Sequence, residues 1–415
     1  MRSGIIIWGT SIRETWEKNH IETNTASNRK RRRWPRHASE AALNMQDLVY
    51  HQLAKSIERN PFGVPKTHGE ISKAFIKFLK LIYTPEEADV VRHLNVYPFF
   101  KTARQVADES DRDIQQVSAI LEGVHAKYGL MGLSNQDRHA LPTIFYIFNY
   151  HNRYPETRPG DLEAARLYQE FFIKECFYRN FETSRKGTPV FRTIPVGRSI
   201  EANQKVLTSE EAHDRIDGLE TDYIALVPCP CRTRTEKMGI RECKDKFPIG
   251  ACIIPGDNGR KFVDLGMGKR ATKEQAKKYM DEMQDFGLVM NSDNYLSHDP
   301  IVICLCCGCC CSQMRGRTKW DNPKAILASN FIPRASDDCK MCGTCVNRCF
   351  MGALSLDDEA GRSMVDPDKC IGCGICTLTC PQGALKLHRF ERTKPFGNAM
   401  ELGIALYTEN SADGS

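Results

Sequence analysis

Two copies of one cysteine pattern constrain the fold of this chain more than any other feature of its sequence. Both copies read C-x2-C-x2-C-x3-C. The first consists of Cys339, Cys342, Cys345 and Cys349, and the second of Cys370, Cys373, Cys376 and Cys380. Three closely spaced thiolates can wrap a loop around one [4Fe–4S] cluster, while the fourth points to a neighbouring cluster. The pattern therefore predicts two clusters, one held by Cys339, Cys342, Cys345 and Cys380 and the other by Cys370, Cys373, Cys376 and Cys349.

A structural zinc site is the alternative for these eight cysteines. Such a site would use C-x2-C pairs set farther apart and would need only four ligands. Eight cysteines in two matching runs fit that arrangement poorly, so we expect iron–sulfur clusters here.

The residues after each run extend the similarity between the copies. Met351–Leu354 and Gln382–Leu385 each place a turn glycine before a short apolar strand. With these segments, residues 331–390 resemble two-cluster bacterial ferredoxins, which implies single-electron transfer through two [4Fe–4S] clusters. The first copy departs from the family pattern because Phe350 stands where Pro381 stands in the second copy. Since proline there ligates nothing, the departure leaves the ligand prediction unchanged.

Length and cysteine usage bound the class of protein. The chain has 415 residues and 19 cysteines. It is too long for a small disulfide scaffold, and its first residues lack the apolar stretch of a signal peptide. No window approaches 18 uninterrupted apolar residues, so we expect no membrane insertion. We therefore expect a cytoplasmic protein whose thiols are reduced or bound to metal.

The basic charge is concentrated at the start of the sequence. Residues 1–44 hold nine Lys and Arg against four Asp and Glu, whereas the whole chain has a formal charge of +6. The run Arg29–Arg33 could bind nucleic acid. Because no periodic apolar face accompanies it, we expect residues 1–44 to be a disordered basic extension.

Residues 45–185 are predicted to form a helical, winged-helix-like domain. Thr84 and Glu87 have the spacing of a capping box around Pro85. Two further helices are expected near 102–107 and 114–121, before a Gly-Leu-Met strand at 129–131. We do not expect the second of these helices to bind DNA, because its start is acidic and phosphate contacts need Lys or Arg. Cys176 is expected to be a buried apolar thiol.

Residues 186–330 are predicted to form a cysteine-rich α/β domain. Buried strands are expected at 223–227 and 301–303, with a capping box at Thr272 and Gln275. Each of these strands runs into a cysteine turn, and parallel neighbouring strands would bring both turns to one sheet edge. Residues 266–271 fit the G-x-G-x-x-A pattern, but we expect only a helix entry there, and a turn at 291–294.

The two cysteine turns predict a further metal site. One is Cys229–Cys231, followed by Cys243 and Cys252, and the other is Cys304–Cys311 with six thiols in eight residues. Soft thiolate clusters select Fe–S, zinc or Cu(I). A further Fe–S cluster would use both turns, with Cys229, Cys231, Cys306, Cys307 and Cys309 as the first candidates and Cys243, Cys252 and the pair Cys310–Cys311 as the second. Zinc held by Cys229, Cys231, Cys243 and Cys252 is the alternative.

Together these features predict a multidomain α+β protein: the extension, the helical domain, the cysteine-rich domain, a two-cluster module at 331–390 and a tail at 391–415. Residues 306–308 are similar to the cysteine motif of heterodisulfide reductases, and residues 45–390 resemble a poorly characterised family of anaerobe iron–sulfur proteins. The resemblance implies an electron-transfer protein or oxidoreductase subunit with a protein redox partner. The alternative is a redox-sensing transcription regulator.

Overall fold

Helices form the first part of the described chain, as the sequence predicts. The computed structural model describes residues 45–151, 153–207, 210–320 and 322–411, so the predicted extension at 1–44 lies outside the described residues. The helices are α1 (Met45–Ile57), α2 (Lys73–Ile82), α3 (Pro85–Val91), α4 (Ala103–Ser110), α5 (Ile114–Ala126), α6 (Ile144–Ile147), α7 (Asp161–Tyr168) and α8 (Tyr178–Glu182), and a short hairpin of β1 (Lys66–Thr67) and β2 (Glu70–Ile71) separates the first two.

Local capping and aromatic packing explain this helical region. The predicted capping box is present, with Thr84 N donating to Glu87 Oε2 at 2.7 Å and Glu87 N donating to Thr84 Oγ1 at 3.3 Å. On α2, the rings of Phe75 and Phe78 each pack edge-on against Phe171 at 5.5 Å between centroids. Such aromatic contacts add to the area that the rings bury, so they hold α2 against the segment after α7.

The segment after α5 differs from the predicted strand. Met131 makes a single antiparallel bridge with Ala140, and residues 129–131 form no strand.

The two basic side chains that flank α5 are paired with α3, since Arg112 Nη2 lies 2.8 Å from Asp89 Oδ2 and Lys127 Nζ lies 2.6 Å from Glu87 Oε2. These pairs leave α5 without a free basic face at those positions.

The central part of the chain forms a seven-stranded sheet with helices around it. Its strands are β3 (Phe191–Thr193), β4 (Ile224–Pro228), β5 (Ala251–Pro255), β6 (Lys269–Ala271), β7 (Val289–Asp293), β8 (Ile303–Cys306) and β9 (Ile326–Leu327), in the order β6-β4-β5-β8-β7-β3-β9. The helices between them are α9 (Ala212–Asp217), α10 (Pro230–Lys237), α11 (Gly256–Asp264), α12 (Lys273–Phe286) and α13 (Met314–Thr318). Only β3 and β9 pair in parallel; the other neighbours are antiparallel.

The expectation that the strands near 227 and 303 are neighbours is wrong. Strand β5 lies between β4 and β8 and pairs antiparallel with both. Because two antiparallel steps restore the direction, β4 and β8 run the same way and end at the same sheet edge. Strand β5 begins at that edge and brings Cys252 there, which local sequence patterns do not indicate.

Two local predictions also fail. Residues 291–294 were expected to turn, but Val289–Asp293 is a fully buried strand. Polar atoms of this strand have partners inside the fold: Thr193 Oγ1 donates to Asn291 Oδ1 at 3.1 Å, and Asp293 Oδ2 accepts from Ile301 N at 2.7 Å. Cys176 is exposed, with φ of 60°, because the chain leaves a π-helical turn at Gln169–Lys174 just before it.

The capping box that begins α12 is confirmed. Thr272 Oγ1 accepts from Gln275 N, Gln275 Oε1 accepts from Thr272 N, and the helix ends at Gly287 with φ of 105°. The G-x-G-x-x-A segment before it continues into β6, an edge strand paired with β4. This segment therefore leads first into strand β6 and then into helix α12.

The C-terminal module consists of two antiparallel strand pairs and two short helices. Its elements are β10 (Phe331–Ala335), α14 (Thr344–Arg348), β11 (Leu354–Asp357), β12 (Arg362–Val365), α15 (Ile375–Leu378) and β13 (Leu385–Arg389), followed by α16 (Ala399–Ser411). Strand β10 pairs with β13 and β11 with β12. Gly352 and Gly383 take φ of 58° and 63° before β11 and β13, as the repeated turn predicts.

Hydrogen bonds to backbone carbonyls join the module to the segment that follows β3 of the central sheet. Val196 N donates to Cys373 O at 3.1 Å, and Ser199 Oγ donates to Gly374 O at 3.0 Å. The segment after β3 therefore contacts the second cysteine run directly.

Candidate metal centres

The eight cysteines of the C-terminal module surround two separate cavities. One cavity, of about 30 Å³, is lined by Cys349, Cys370, Cys373 and Cys376. The other, of about 20 Å³, is lined by Cys339, Cys342, Cys345 and Cys380. Each run thus contributes three cysteines to one cavity and its last cysteine to the other.

The two cavities differ in burial and in the surroundings of their thiols. Cys370 and Cys376 are buried, whereas Cys342 is exposed. Burial raises the pKa of Cys373 to about 12. Hydrogen bonds from the side chain and backbone of Thr344 instead lower the pKa of Cys342. The cavity with Cys342 is therefore the one nearer to solvent.

Four of the remaining cysteines converge at one point in the central domain. This thiol quartet consists of Cys243, Cys307, Cys309 and Cys310, whose sulfur atoms all lie within 4.8 Å of one another. Measured separations run from 3.6 Å, between Cys309 and Cys307, to 3.9 Å, between Cys243 and Cys307. Contacts from Cys243, Cys309 and Cys310 lower the pKa of Cys307, so this thiol is the readiest of the four to ionise.

Six further cysteines contact one another in a closed circuit. This thiol ring consists, in order around it, of Cys229, Cys252, Cys304, Cys306, Cys311 and Cys231. The sulfur atoms of Cys252 and Cys304 are 3.7 Å apart, and those of Cys306 and Cys311 are 3.3 Å apart. Contacts from Cys304 and Cys311 lower the pKa of Cys306 to about 7.

Comparison with known families agrees with the geometry of the C-terminal module. Residues 338–384 match the family model of the 4Fe-4S dicluster domain. No curated protein and no solved structure matches the chain significantly. The dicluster domain implies two [4Fe–4S] clusters, electron transfer and a redox partner.

The dicluster domain also fits its clusters by ligand spacing. Each thiolate of a [4Fe–4S] cluster binds a different iron, so its sulfur atoms must stand farther apart than those around a single ion. Among the described residues, the thiol quartet is the only group of three or more ligand side chains whose donor atoms all lie within 4.8 Å. No three of the dicluster cysteines therefore have the compact spacing of ligands around a single ion.

The thiol quartet has the spacing of a single tetrahedral ion. Zinc–sulfur bonds of about 2.3 Å in a tetrahedron place the sulfur atoms about 3.8 Å apart. Four of the six sulfur–sulfur separations, 3.6–3.9 Å, bracket that value, and the other two lie within 4.8 Å. The quartet is thus a further candidate metal site, distinct in geometry from the dicluster cavities.

The structure groups the predicted ligands of the central domain differently from the sequence hypotheses. The four residues proposed for zinc are separated, with Cys243 in the thiol quartet and Cys229, Cys231 and Cys252 in the thiol ring. The set proposed for an Fe–S cluster is also divided, since Cys306 lies in the ring and Cys307 in the quartet.

Five ring or quartet members were absent from the first set of candidates: Cys243, Cys252, Cys310 and Cys311 were second candidates, and Cys304 was in neither set. A usable signal for Cys304 was present, because side chains alternate between the two faces of a strand. Residues 304 and 306 of β8 must share one face, and residue 307 falls on the other side. Assignment of Cys310 and Cys311 needs the path of the loop that follows, which no periodicity reveals.

Phe350 connects the dicluster domain to the thiol quartet. It follows Cys349 directly and lines the cavity of that cysteine. A Cβ atom added to Gly308, which lies between Cys307 and Cys309, would stand 3.0 Å from Phe350 Cβ. The ring also packs edge-on against Phe247 at 6.0 Å. The residue that replaces proline in the first motif is therefore a contact between two candidate metal centres.

The described helices give no candidate for a bilayer-spanning segment, because none combines the necessary length with sufficient apolar character.

Proposed function

We propose that this protein transfers single electrons between a protein redox partner and its thiol-rich central domain through the two clusters of the dicluster domain. Cys339, Cys342, Cys345 and Cys380 would hold the cluster nearer to solvent, and Cys370, Cys373, Cys376 and Cys349 the inner one. The observation that carries this proposal is the pair of four-cysteine cavities, of which only one includes an exposed thiol.

The order of transfer follows from where each cavity lies. An electron from the partner would enter at the cluster beside Cys342 and pass to the cluster beside Cys373, so for each transfer the partner is oxidised by one electron and the inner cluster is reduced by one electron. The inner cavity shares an apolar cluster with the central domain, including Ile371, Ile375, Cys306 and Cys311. Exclusion of water from this region lowers the solvent reorganisation energy of electron transfer to and from the inner cluster.

The thiol quartet is proposed to hold one structural zinc ion. Closed four-thiolate sites with no open position stabilise folds and do not exchange electrons, because zinc has no accessible redox state. Here the site joins Cys243, in the loop after α10, to the turn after β8. The zinc ion would fix the turn after β8, and Phe350 packs against this turn.

Anaerobic purification followed by EPR of the reduced protein tests the ligand assignment. The variant Cys349→Ala should perturb the inner cluster, whose other ligands lie in the second run, and leave the outer cluster intact. The matched variant Cys380→Ala should do the reverse. If each variant instead affected the cluster beside it in sequence, the crossed assignment would be wrong. If the wild-type protein contained neither iron nor acid-labile sulfide, the electron-transfer proposal would fall.

A further inference from the structure

We propose that the thiol ring binds an iron–sulfur cluster of its own, separate from the two clusters of the dicluster domain and from the ion of the thiol quartet. This would be a third redox-active centre and a fourth metal site in the chain. Its existence does not depend on the direction of electron transfer proposed above.

The central sheet keeps the thiol ring and the thiol quartet apart. Cys304 and Cys306 lie two residues apart on β8 and therefore share one face, which also receives Cys252 from β5. Cys304 packs with Cys229 and Cys252 in one apolar cluster. On the other face, Leu305 packs with Cys243 and Cys307. The ten thiols thus form two sites on opposite sides of one strand.

The ring encloses a space that suits a cluster and not a single ion. Its cavity has a volume of about 60 Å³ and is lined by all six thiols. The two cavities of the dicluster domain measure about 30 and 20 Å³. These two provide a scale within the same molecule, and the ring cavity is at least twice as large. Neighbouring ring sulfurs come as close as 3.3 Å, but no three ring sulfurs all lie within 4.8 Å of one another, so the wider spacing that a cluster needs is found between ring members that are not neighbours.

The walls of the cavity are apolar apart from a few polar side chains that face it. Phe181, Phe191 and Ile254 line it and exclude water. Gln313 also lines it, is only 6% exposed, and has no hydrogen-bond partner for either its Nε2 or its Oε1. A buried amide without a partner is costly. Inorganic sulfide in a cluster would accept a hydrogen bond from Gln313 Nε2 and remove the part of that cost that belongs to the amide nitrogen.

One buried cation lies between the two thiol groups. Arg232 is fully buried on α10, with Nε donating to Ile249 O at 2.6 Å and Nη1 donating to Leu305 O at 2.9 Å. Its Nη2 has no partner. It interacts electrostatically with thiols of both groups, with Cys229, Cys306 and Cys252 of the ring and with Cys307 of the quartet. A buried guanidinium needs a compensating anion, and an anionic cluster in the ring supplies one.

Disulfides are the alternative use of the ring thiols, since adjacent pairs could be oxidised. Disulfides would consume the six thiols in pairs and leave the cavity unfilled. Arg232 would then have no anion on the side of the ring. Mass spectrometry of protein that is alkylated before and after reduction separates this alternative from metal binding.

The test is the iron, zinc and acid-labile sulfide content of the full chain purified without oxygen. Two [4Fe–4S] clusters account for eight iron atoms. We expect more than eight per chain, with sulfide in proportion, and one zinc. A wild-type protein with only eight iron atoms, or with disulfides among the ring cysteines, would overturn the proposal.

Variants then place the additional iron. The double variant Cys252→Ser/Cys304→Ser should lose only the iron above eight and keep the zinc and the EPR signals of the dicluster domain. Cys309→Ser should lose the zinc and keep all the iron, and Cys176→Ser, at the exposed thiol, should change neither. If the double variant kept all its iron, the ring would not be the site. Should it fail to fold, Gln313→Leu offers a milder change, expected to alter the visible absorption and potential of the additional centre alone.

Discussion

At the scale of single residues, Phe350 replaces the proline of the repeated cysteine motif and contacts the turn of the thiol quartet. Proline at the equivalent position of the second run, Pro381, is exposed. Phe350 instead reaches the glycine of the cysteine turn and stacks edge-on with Phe247. The dicluster ligands themselves needed only local sequence to be recognised, because their spacing alone determines a loop around a cluster. The partner of Phe350 is distant in sequence, so its contact was not predictable.

Replacing Phe350 by alanine should loosen this contact. Truncation of a half-buried phenylalanine removes packing worth about 2 kcal/mol, less than the 3–5 kcal/mol of a fully buried ring. We expect Phe350→Ala to lower the melting temperature by a few degrees and to accelerate zinc release to a chelator. Phe99→Ala is the control, since this side chain is 70% exposed. Equal melting temperatures and zinc-release rates for the two variants would show that the contact contributes nothing.

Glu182 should make stability depend on pH. Its side chain is buried on α8, where Oε2 accepts from Asn322 Nδ2 at 2.8 Å, and burial raises its pKa from 4.5 to about 9. The folded state therefore holds the proton while the unfolded chain releases it between these pH values. Stability should fall as pH rises through that window, by up to about 1.4 kcal/mol per pH unit.

The variant Glu182→Gln removes this dependence. Between pH 6 and pH 8.5 its melting temperature should rise relative to that of the wild-type protein, with a difference that increases with pH. The exposed Glu163→Gln variant serves as control. A constant difference across the range would mean that the Glu182 carboxyl is already ionised in the folded protein.

At the scale of elements, helix caps were predictable and strand neighbours were not. The boxes at Thr84 and Thr272 are local, and both are confirmed. Local sequence predicts a turn in place of strand β7 because its residues are polar, and the partner of Asn291 Oδ1, Thr193 on β3, lies 98 residues away. The grouping of ten thiols into four and six depends on the same long-range pairing.

Helix α5 is expected not to bind DNA. Its flanking cations Arg112 and Lys127 are already paired with Asp89 and Glu87 on α3. Phosphate contacts would have to break these pairs. We expect no duplex binding tighter than the micromolar range at physiological salt, measured by fluorescence anisotropy, and little change in Arg112→Ala or Lys127→Ala. Nanomolar binding that either variant abolished would favour the transcription-regulator hypothesis.

At the scale of the whole molecule, distant segments meet around the thiol ring. Helix α16 packs Leu402 and Leu406 into the apolar cluster that contains Cys229 and Cys252. Its end is held by Thr188 Oγ1, which donates to Glu409 Oε1 at 2.9 Å, and by Asn410 Nδ2, which donates to Pro61 O at 2.7 Å. The residues beyond the dicluster domain, expected to be a tail, thus contain a packed helix.

The variant Leu402→Ala/Leu406→Ala should therefore destabilise the protein. Each leucine is buried, and each truncation costs about 2–5 kcal/mol. The matched variant Met400→Ala/Ile404→Ala alters the exposed face of the same helix, where these residues are 75% and 61% exposed. We expect a clear fall in melting temperature for the first pair only. Similar falls for both pairs would contradict the packing of this helix on the central domain.

The position of α16 also has a consequence for biosynthesis. A ribosome makes this helix after all nineteen cysteines. The dicluster domain holds its eight cysteines within a short stretch and can be loaded as soon as that stretch emerges. The apolar wall around the thiol ring is completed only when α16 docks. Iron delivery to the proposed cluster of the thiol ring would therefore come later than delivery to the dicluster domain.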